Sequence, residues 1–594
     1  PMSRFYSRSI VIIFIPPLVA VYYVFIWLVL LRKDTDPVIK YASVSELWVY
    51  YSWFVICTFG IGWSKYGLAG IEVAMLQSRR FGVVDKETLY MHSGNSWSGP
   101  DGWIECLGRF MRGKESQVHR LWYLLSALSL LPFVAHPFSG FCMELSDGYV
   151  FSSSAPRVIG RKWEDFNNRQ VDQTTFRAQS RWETGASTGL PGIGILYTPP
   201  NIQRNKIDGL RSLPNKLPHQ EPAPDLFVCP QAKTPIEGRA WGLRVEYNCS
   251  IVRDASEFTI ISDRSNIINQ PTSSKPTNGD VIVPGGSQGT VYVSNSGSAE
   301  NRLSFNLFSY IEMGVSKSSG VPTYDETEID PIDSHPQPYI LELAMWQMRK
   351  QGAYETQTAG FQFNQSIDDP LKGMGQPIIQ LPNGTYASNR TFFEAYDTNY
   401  ALEDFASLDG QNFLYLAPPI GLRCTRFSAL GLADLAASTS SFHNFTRTPP
   451  PDFKMEREEA RAPLFGYTAM EILRRQYLKF FDSINLPTPI TVSNSVFYTR
   501  FLQARELQQS VMLAHAIDAL QLMYDGVTSF ENSYLNPNLT SSTPGKVLTP
   551  GVAPALFPAV LFLAWAGICS ILGVKYGFVR RCADTLDRRY LLRL

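Results

Sequence analysis

The sequence predicts a membrane protein: four transmembrane α-helices carry a large α+β ectodomain with a β-sandwich-like part and long helices. Three observations predict it. Four long apolar runs lie towards the two ends of the chain. Lys and Arg are distributed unevenly around those runs. N-glycosylation sequons are confined to the segment between the third run and the fourth.

The 594 residues carry no net charge, and 18% of them are charged. A mean hydropathy near zero would suit a soluble protein. That average conceals apolar ends and a polar middle long enough for several ordinary domains. Balanced charge argues against a nucleic-acid partner, which calls for a basic surface. The chain opens Pro1-Met2, so residues upstream of Pro1 are an open question.

The first run, about residues 10–31, contains no charge and is flanked by Arg4, Arg8, Arg32 and Lys33. A bilayer core of ~30 Å needs about 20 such residues in a helix. Pro16-Pro17 should kink it, which neighbouring helices can tolerate. The second run, about 47–69, starts with Trp and Tyr, as an interfacial belt would. Lys65 near its far end could snorkel outward. The third covers about 121–142, with Pro132 and His136 late in the run. The fourth covers 555–574.

Orientation follows the flanking cations. The loop 77–120 carries Arg79, Arg80, Lys86, Arg109, Arg112, Lys114 and Arg120. The basic tail 575–594 carries Lys575, Arg580, Arg581, Arg588, Arg589 and Arg593. Both are expected in the cytosol. The short loop after the first span has Arg32, Lys33 and Lys40, offset by Asp34, Asp36 and Glu46. Both termini are then cytosolic, and roughly 144–554 lies outside.

Asn-x-Ser/Thr sequons test this order. They occur at Asn248, Asn364, Asn383, Asn389, Asn444 and Asn538, all within the expected outside segment. N-linked glycans are therefore expected there. Cysteine agrees. Cys57 and Cys569 fall in spans, and Cys106 and Cys582 in cytosolic segments. Cys142, Cys229, Cys249 and Cys424 remain outside, an even number in an oxidising compartment. Three pairings are open. Cys229–Cys249 with Cys142–Cys424 is preferred, because the first two flank one strand–turn–strand stretch.

The chain is read as residues 1–143 with three spans, a β-rich part 144–338, an α+β part 339–534, a stalk 535–554, the span 555–574 and the tail. Strands are expected at Gly192–Tyr197, Asp225–Cys229, Leu243–Val252, Phe258–Ile261, Asp280–Val283, Thr290–Val293 and Leu303–Ile311. Turn residues such as Pro284-Gly285-Gly286-Ser287 separate them, which suggests a sandwich or jelly roll. In the next part, Asn412–Leu416 and Ile420–Ser428 read as strands. Gly466–Phe481 and Asn494–Tyr524 read as helices, the last starting at Ser493/Asn494 and stopping at Gly526. Phe497, Phe501, Ala504, Leu507 and Val511 would form its packing stripe. The Pro/Ser/Thr-rich stalk should be extended.

In the cytosolic loop, Trp103, Leu107, Phe110 and Met111 share one helical face near Arg109, Arg112 and Lys114. They are candidate membrane-interface residues on anionic lipid.

No catalytic signature stands out. HExxH, GxSxG and P-loop patterns are absent, and Gly94–Gly99 lacks the lysine of a phosphate loop. His219, His335, His443 and His515 are scattered. His515, within the long helix, reads as a packed side chain. No Cys/His spacing suggests zinc. Asp325, Glu326, Glu328, Asp330 and Asp333 cluster on a Pro-bounded loop and are a candidate Ca²⁺ site, since Ca²⁺ wants several hard oxygen ligands. No other cofactor is expected. Ala566-x-x-x-Ser570 with Gly567 and Gly573 would let helices approach closely, either within the bundle or between protomers. Lys65, Glu72 and His136 are the ionisable residues of the spans, all towards span ends, so a conduction path is not indicated.

Pro419-Ile-Gly-Leu-Arg-Cys424-Thr resembles a segment late in the ectodomain of multi-pass membrane glycoproteins of filamentous fungi. Tyr576–Arg581 with Ala583–Asp587 resembles the tail after their final span. The resemblance covers about thirty residues and carries over no catalytic residue. It implies a fungal plasma-membrane or secretory-pathway protein with Cys424 in a disulfide. The expected role is structural, assembly or partner interaction: with the lipid bilayer, with cell-wall polysaccharide or protein, and with copies of itself. The alternatives are a glycan-active ectodomain enzyme and a subunit of an oligomeric channel or transport complex.

Overall fold

A computed structural model describes residues 4–33, 35–82, 89, 91–111, 118–166, 171–253, 257–261, 279–284, 289–296, 307–316, 339–351, 413–416, 420–448, 465–466, 489–492, 495–498, 503–581 and 583–586. They form two compact units, Pro1–Phe151 with Thr543–Leu594, and Ser152–Ser542.

In chain order the helices are α1 (Tyr6–Phe25), α2 (Leu47–Leu76), α3 (Pro100–Met111), α4 (Arg120–Phe141), α5 (Val171–Glu183), α6 (Ala504–Tyr524) and α7 (Leu556–Tyr576). The strands are β1 (Tyr41–Ala42), β2 (Met143–Ser152), β3 (Arg157–Val158), β4 (Ala223–Val228), β5 (Glu237–Val252), β6 (Gly279–Pro284), β7 (Gly289–Ser296), β8 (Leu307–Ser316), β9 (Tyr339–Gln351), β10 (Phe413–Leu416), β11 (Ile420–Ala436), β12 (Ser441–Arg447), β13 (Pro489–Val492), β14 (Ser495–Tyr498), β15 (Tyr534–Leu535) and β16 (Leu539–Pro550).

In the first unit α1, extended by a π-helical turn Ile26–Leu30, is joined by α2, α4 and α7. These four helices are long and apolar enough to cross a membrane. Helix α1 runs unbroken through Pro16 and Pro17. The bundle interior is aromatic: Tyr23, Trp53 and Phe562 lie within 4.9–5.4 Å of one another by ring centroid. The Trp53 indole N–H donates to Ser139 Oγ at 2.8 Å. Glycines set the helix spacing. A Cβ at Gly67 would stand 2.7 Å from Ile12 Cβ, and one at Gly573 would stand 2.6 Å from Ile13 Cγ1. Ser570 Oγ donates to the Ile13 carbonyl. The small-residue stripe of the last span is thus largely used inside the chain, against α1. Gly567 alone among these faces open space. Close backbone approach matters in lipid, where packing replaces the hydrophobic drive between helices.

In the second unit the sheet is antiparallel throughout its described strands. The order runs from the start of β16 through β5, β11, β9, β8 and β7 to β6, with β4 on β5, β12 on β11 and β10 on β9. The centre is the β5–β11 pair, in register from Gly421↔Val252 to Leu435↔Gly238. Along β5, Val245, Tyr247 and Cys249 are buried while Glu246, Asn248 and Ser250 are exposed. That alternation is the half-buried strand pattern. The buried face packs on α6, whose residues Ser510–Tyr524 are all buried, and α6 packs on α5. The Trp182 indole of α5 donates to the Ser510 carbonyl at 3.0 Å.

Several expectations are corrected. Twelve of the described strands join one sheet, β3–β15 and β13–β14 form separate pairs, and two large facing sheets are not found among the described residues. Residues Gly192–Tyr197 are not a strand, because Gly192 and Gly194 take positive φ. There the Gln231 side chain accepts from the Ile195 N–H and donates to its carbonyl, standing in for a neighbouring strand. Phe258–Ile261 is also not a strand, because its amides turn to a side chain, Glu342. The strand expected at Leu303–Ile311 is described from Leu307 and runs on to Ser316, past the expected end; residues 303–306 lie outside the described residues. The long helix begins at Ala504, not Asn494. Its start is a capping box between Gln503 and Glu506, and the β13–β14 hairpin occupies Pro489–Tyr498. Phe497 therefore belongs to a strand. The stop holds: Asp525 is left-handed and Gly526 follows with φ +74°. The expected stalk contains the paired strand β16. Its start bonds β5 at Leu539↔Gly238, and its later residues run beside β2, where Ser146 and Thr549 hydroxyls meet at 2.9 Å. The expected helix at Gly466–Phe481 lies almost wholly outside the described residues.

Candidate functional site

The second unit contains an open pocket of about 760 Å³, within the ~300–1,000 Å³ range of small-ligand sites. Its walls come from residues 161–165 after β3, Arg239 and Trp241 on β5, and residues 534–538 at β15. The β3–β15 pairing is short: Tyr534 lies opposite Val158 and Leu535 opposite Arg157. Arg161 anchors the first wall. Its amide donates to the Met523 carbonyl at 2.7 Å, and its guanidinium pairs with Asp525 at 2.9 Å. Arg177 of α5 reaches the same carboxylate at 2.9 Å. These two cations offset the unfavourable placement of Asp525 at a helix C-terminus.

Aromatic groups dominate the recess. Lys162 Nζ sits 4.9 Å from the Tyr534 ring centroid. Burial, followed by the nearby Cys229, Glu164 and Asp165, pushes the Tyr534 phenol up, so it remains a neutral donor. Trp241 is only 7% exposed, and its indole N–H has no hydrogen-bond acceptor among the described residues. Phe166 packs edge-on to it at 5.1 Å. Glu164 and Asp165 are exposed, unlike a general acid held in an apolar recess.

The first unit gathers charge at one end of its bundle. Glu72 on α2 is fully buried. Its Oε1 accepts from the Trp97 indole at 2.8 Å and meets His92 Nδ1 at 2.6 Å. Both Glu72 Oε2 and His92 Nε2 are buried without a hydrogen-bond partner among the described residues. Beside this, Arg8 of α1 grips Asp584 at 2.7 Å and donates to the Tyr66 carbonyl at 2.8 Å. The buried Arg581 donates to the Gly70 carbonyl, and the Gly94 amide donates to the Leu586 carbonyl at 3.1 Å. The tail after α7 thus folds back onto the starts and ends of the other spans. Arg581, Asp584 and Leu586 make this latch.

Sequence-derived candidates fall as follows. The disulfide is Cys249–Cys424. The preferred Cys229–Cys249 pairing is overturned by register. Cys229 lies against Gly242, seven positions from Cys249 along β5, which is roughly 23 Å at ~3.3 Å per residue. Cys249 instead faces Cys424 directly across β5–β11. Cys142 and Cys229 keep buried free thiols, so Cys142–Cys424 is overturned too. Asn248, Asn444 and Asn538 are exposed asparagines. Asn364, Asn383 and Asn389 lie outside the described residues. So do Asp325, Glu326, Glu328, Asp330 and Asp333; among the described residues no cluster could hold a metal ion. On α3, Leu107, Phe110 and Met111 are exposed, as is Ile104, while Trp103 turns towards the bundle. Its indole donates to the Trp97 carbonyl at 2.8 Å, and its ring meets Phe133 at 5.2 Å.

Ser441 Oγ lies 3.2 Å from His443 Nε2, a pair that i, i+2 spacing on a strand could have suggested. Asp434 is the register partner of His443, yet it accepts from Asn444 Nδ2. Ser441 is buried and shares its hydroxyl with Thr439. The pair lacks the oriented base that activates a serine.

His515 is a packed residue. Its Nδ1–H donates to the Val511 carbonyl at 2.9 Å, and its ring stacks on Tyr247 at 5.7 Å. Burial, then the nearby Arg426, holds its imidazole down at about 3. The unfolded chain titrates near 6.5. Between those values the unfolded state binds a proton that the folded state refuses. Stability is therefore full above about pH 6.5 and falls as pH drops, approaching about 1.4 kcal/mol per pH unit. His515→Phe is expected to flatten this slope in denaturant titrations at pH 7 and pH 5. An unchanged slope would assign the acid sensitivity to other groups.

The class these features define is a bundle of four helices of membrane-spanning length in one unit and an antiparallel sheet with helices in the other. Comparison with protein-family models, curated proteins and solved structures finds no match to this chain.

Proposed function

We propose that the chain is a multi-pass surface glycoprotein with a structural, assembly or partner-binding role, its second unit on the non-cytosolic side. The observation that carries this reading is the apolar outer face of the four long helices. Phe14, Val21, Phe59 and Ile571 are each 64–66% exposed, while the opposite faces fill the bundle core. Such a belt is compatible with lipid and costly in water. The Arg-rich latch marks one end of the bundle, and the positive-inside rule assigns that end to the cytosol. The chain between α4 and α7 then emerges on the other side, where the exposed sequon asparagines would meet the glycosylation machinery.

The test uses the full chain in intact cells, with one epitope tag after Leu594 and another between Ser187 and Thr188. External protease should cut in the second unit and leave the C-terminal tag intact. A tag lost from outside, or a second unit protected until the cells are permeabilised, would overturn the topology. Extraction by alkaline carbonate without detergent would overturn membrane insertion itself.

A further inference from the structure

We propose that the pocket of the second unit is the seat of the chain's own N-linked glycan at Asn538. The inference rests on the non-cytosolic placement proposed above. Asn538 is a sequon asparagine, Asn538-Leu539-Thr540, and it is also part of the pocket wall. No other described sequon asparagine lines this pocket. The Asn538 side chain is exposed and makes no hydrogen bond among the described residues. Its backbone is held instead: the Asn538 amide donates to Asn536 Oδ1 at 3.1 Å, and the Thr540 hydroxyl donates to the Glu237 carbonyl at 3.1 Å. A sugar attached at Asn538 Nδ2 therefore starts from a fixed point at the edge of the recess.

The recess has the chemistry of a sugar site. An N-acetylglucosamine ring presents an apolar C–H face, several hydroxyls and one acetamido group. Tyr534, Trp163 and Trp241 offer aromatic surface in the same pocket as Arg239, Glu164 and Asn536. Trp241 closes the recess with its ring; its indole N–H is buried from solvent, so the first sugars meet the aromatic surface and not the nitrogen. The glycan then acts as an internal wedge that holds β5, the 161–165 segment and β15 together.

The experiment is glycosidase release under native conditions, read site by site by mass spectrometry of the full-length protein in mild detergent. The same release on denatured protein is the reference. Release at Asn538 is expected to be at least tenfold slower in the native than in the denatured protein, with a much smaller native-to-denatured difference at Asn248 and Asn444. Trp163→Ala, which removes aromatic surface from the recess and leaves the sequon intact, should speed native release at Asn538 several-fold. Equal native and denatured rates at Asn538 would overturn the seat. So would an unoccupied Asn538 alongside glycans at Asn248 and Asn444, which would leave the topology standing. Slow release that Trp163→Ala leaves unchanged would reduce the effect to crowding around the sequon and overturn the seat. Absence of glycan at all three sites would remove the topology and the seat together.

Discussion

Glu342→Ala is expected to release the segment Phe258–Ile261 from the sheet and to destabilise the second unit by at least about 3 kcal/mol. Glu342 is fully buried on β9. Its carboxylate accepts from the Thr259 amide and hydroxyl at 2.6 and 2.8 Å, and from the Ile260 and Ile261 amides at 2.8 and 2.9 Å. Arg423 Nε stands 3.4 Å away. Opposite Glu342 on β8 is Gly314, where a Cβ would crowd Ile260 and Ile261 at 2.9 Å. One missing side chain thus makes room for the segment that the other side chain holds. Each buried donor left unpaired costs about 1–3 kcal/mol, and Glu342→Ala strands three backbone amides at once. Glu342→Gln keeps an acceptor oxygen and should lose less. Chemical denaturation of the two variants and wild type decides the order. An Ala variant as stable as wild type would show that water replaces the carboxylate freely, against its burial.

The second large effect is expected at Glu72. Glu72→Ala should destabilise the helical unit by about 3–5 kcal/mol, the usual consequence of removing one partner from a buried polar pair. His92, Trp97 and Glu72 are all at 0% exposure, so no solvent is at hand to replace the lost acceptor. The loss also loosens the turn Ser93–Ser98, against which α4 rests through the Trp122 indole bonded to Ser96 Oγ at 2.9 Å. Glu72→Gln retains one acceptor for Trp97 and should fall between. Unfolding midpoints of purified protein in one detergent measure this. Equal midpoints for wild type and Glu72→Ala would mean the carboxylate contributes nothing to the bundle, leaving its burial without a stabilising role.

The helices of membrane-spanning length were legible because their signal is local. A run of about twenty apolar residues is visible without knowing what it packs against. Their ends were less so: α2 continues to Leu76, past Lys65 and Glu72, because His92 and Trp97 arrive from elsewhere to satisfy the carboxylate. Strands β4, β5 and β7 were readable as short runs bounded by turn residues. The stretches that failed, Gly192–Tyr197 and Phe258–Ile261, have strand-like composition but take their hydrogen bonds from side chains distant in sequence. The pocket escaped detection for the same reason. Its walls come from residues 161–165, 239–241 and 534–538, and no one segment carries a recognisable motif.

Cysteine shows the division most clearly. The sequence by itself determined that four apolar runs of spanning length bracket a long segment rich in sequons, with four cysteines in or beside it. It could not determine which cysteines meet. Pairing depends on strand register, and register is a property of two strands at once. The fifteen-residue alignment of β5 on β11 brings Cys249 to Cys424 and carries Cys229 away. Helix length is written in consecutive residues and so survives in the sequence. Disulfide partner, pocket and buried-carboxylate latch arise from residues tens to hundreds of positions apart, and only the folded chain brings them together.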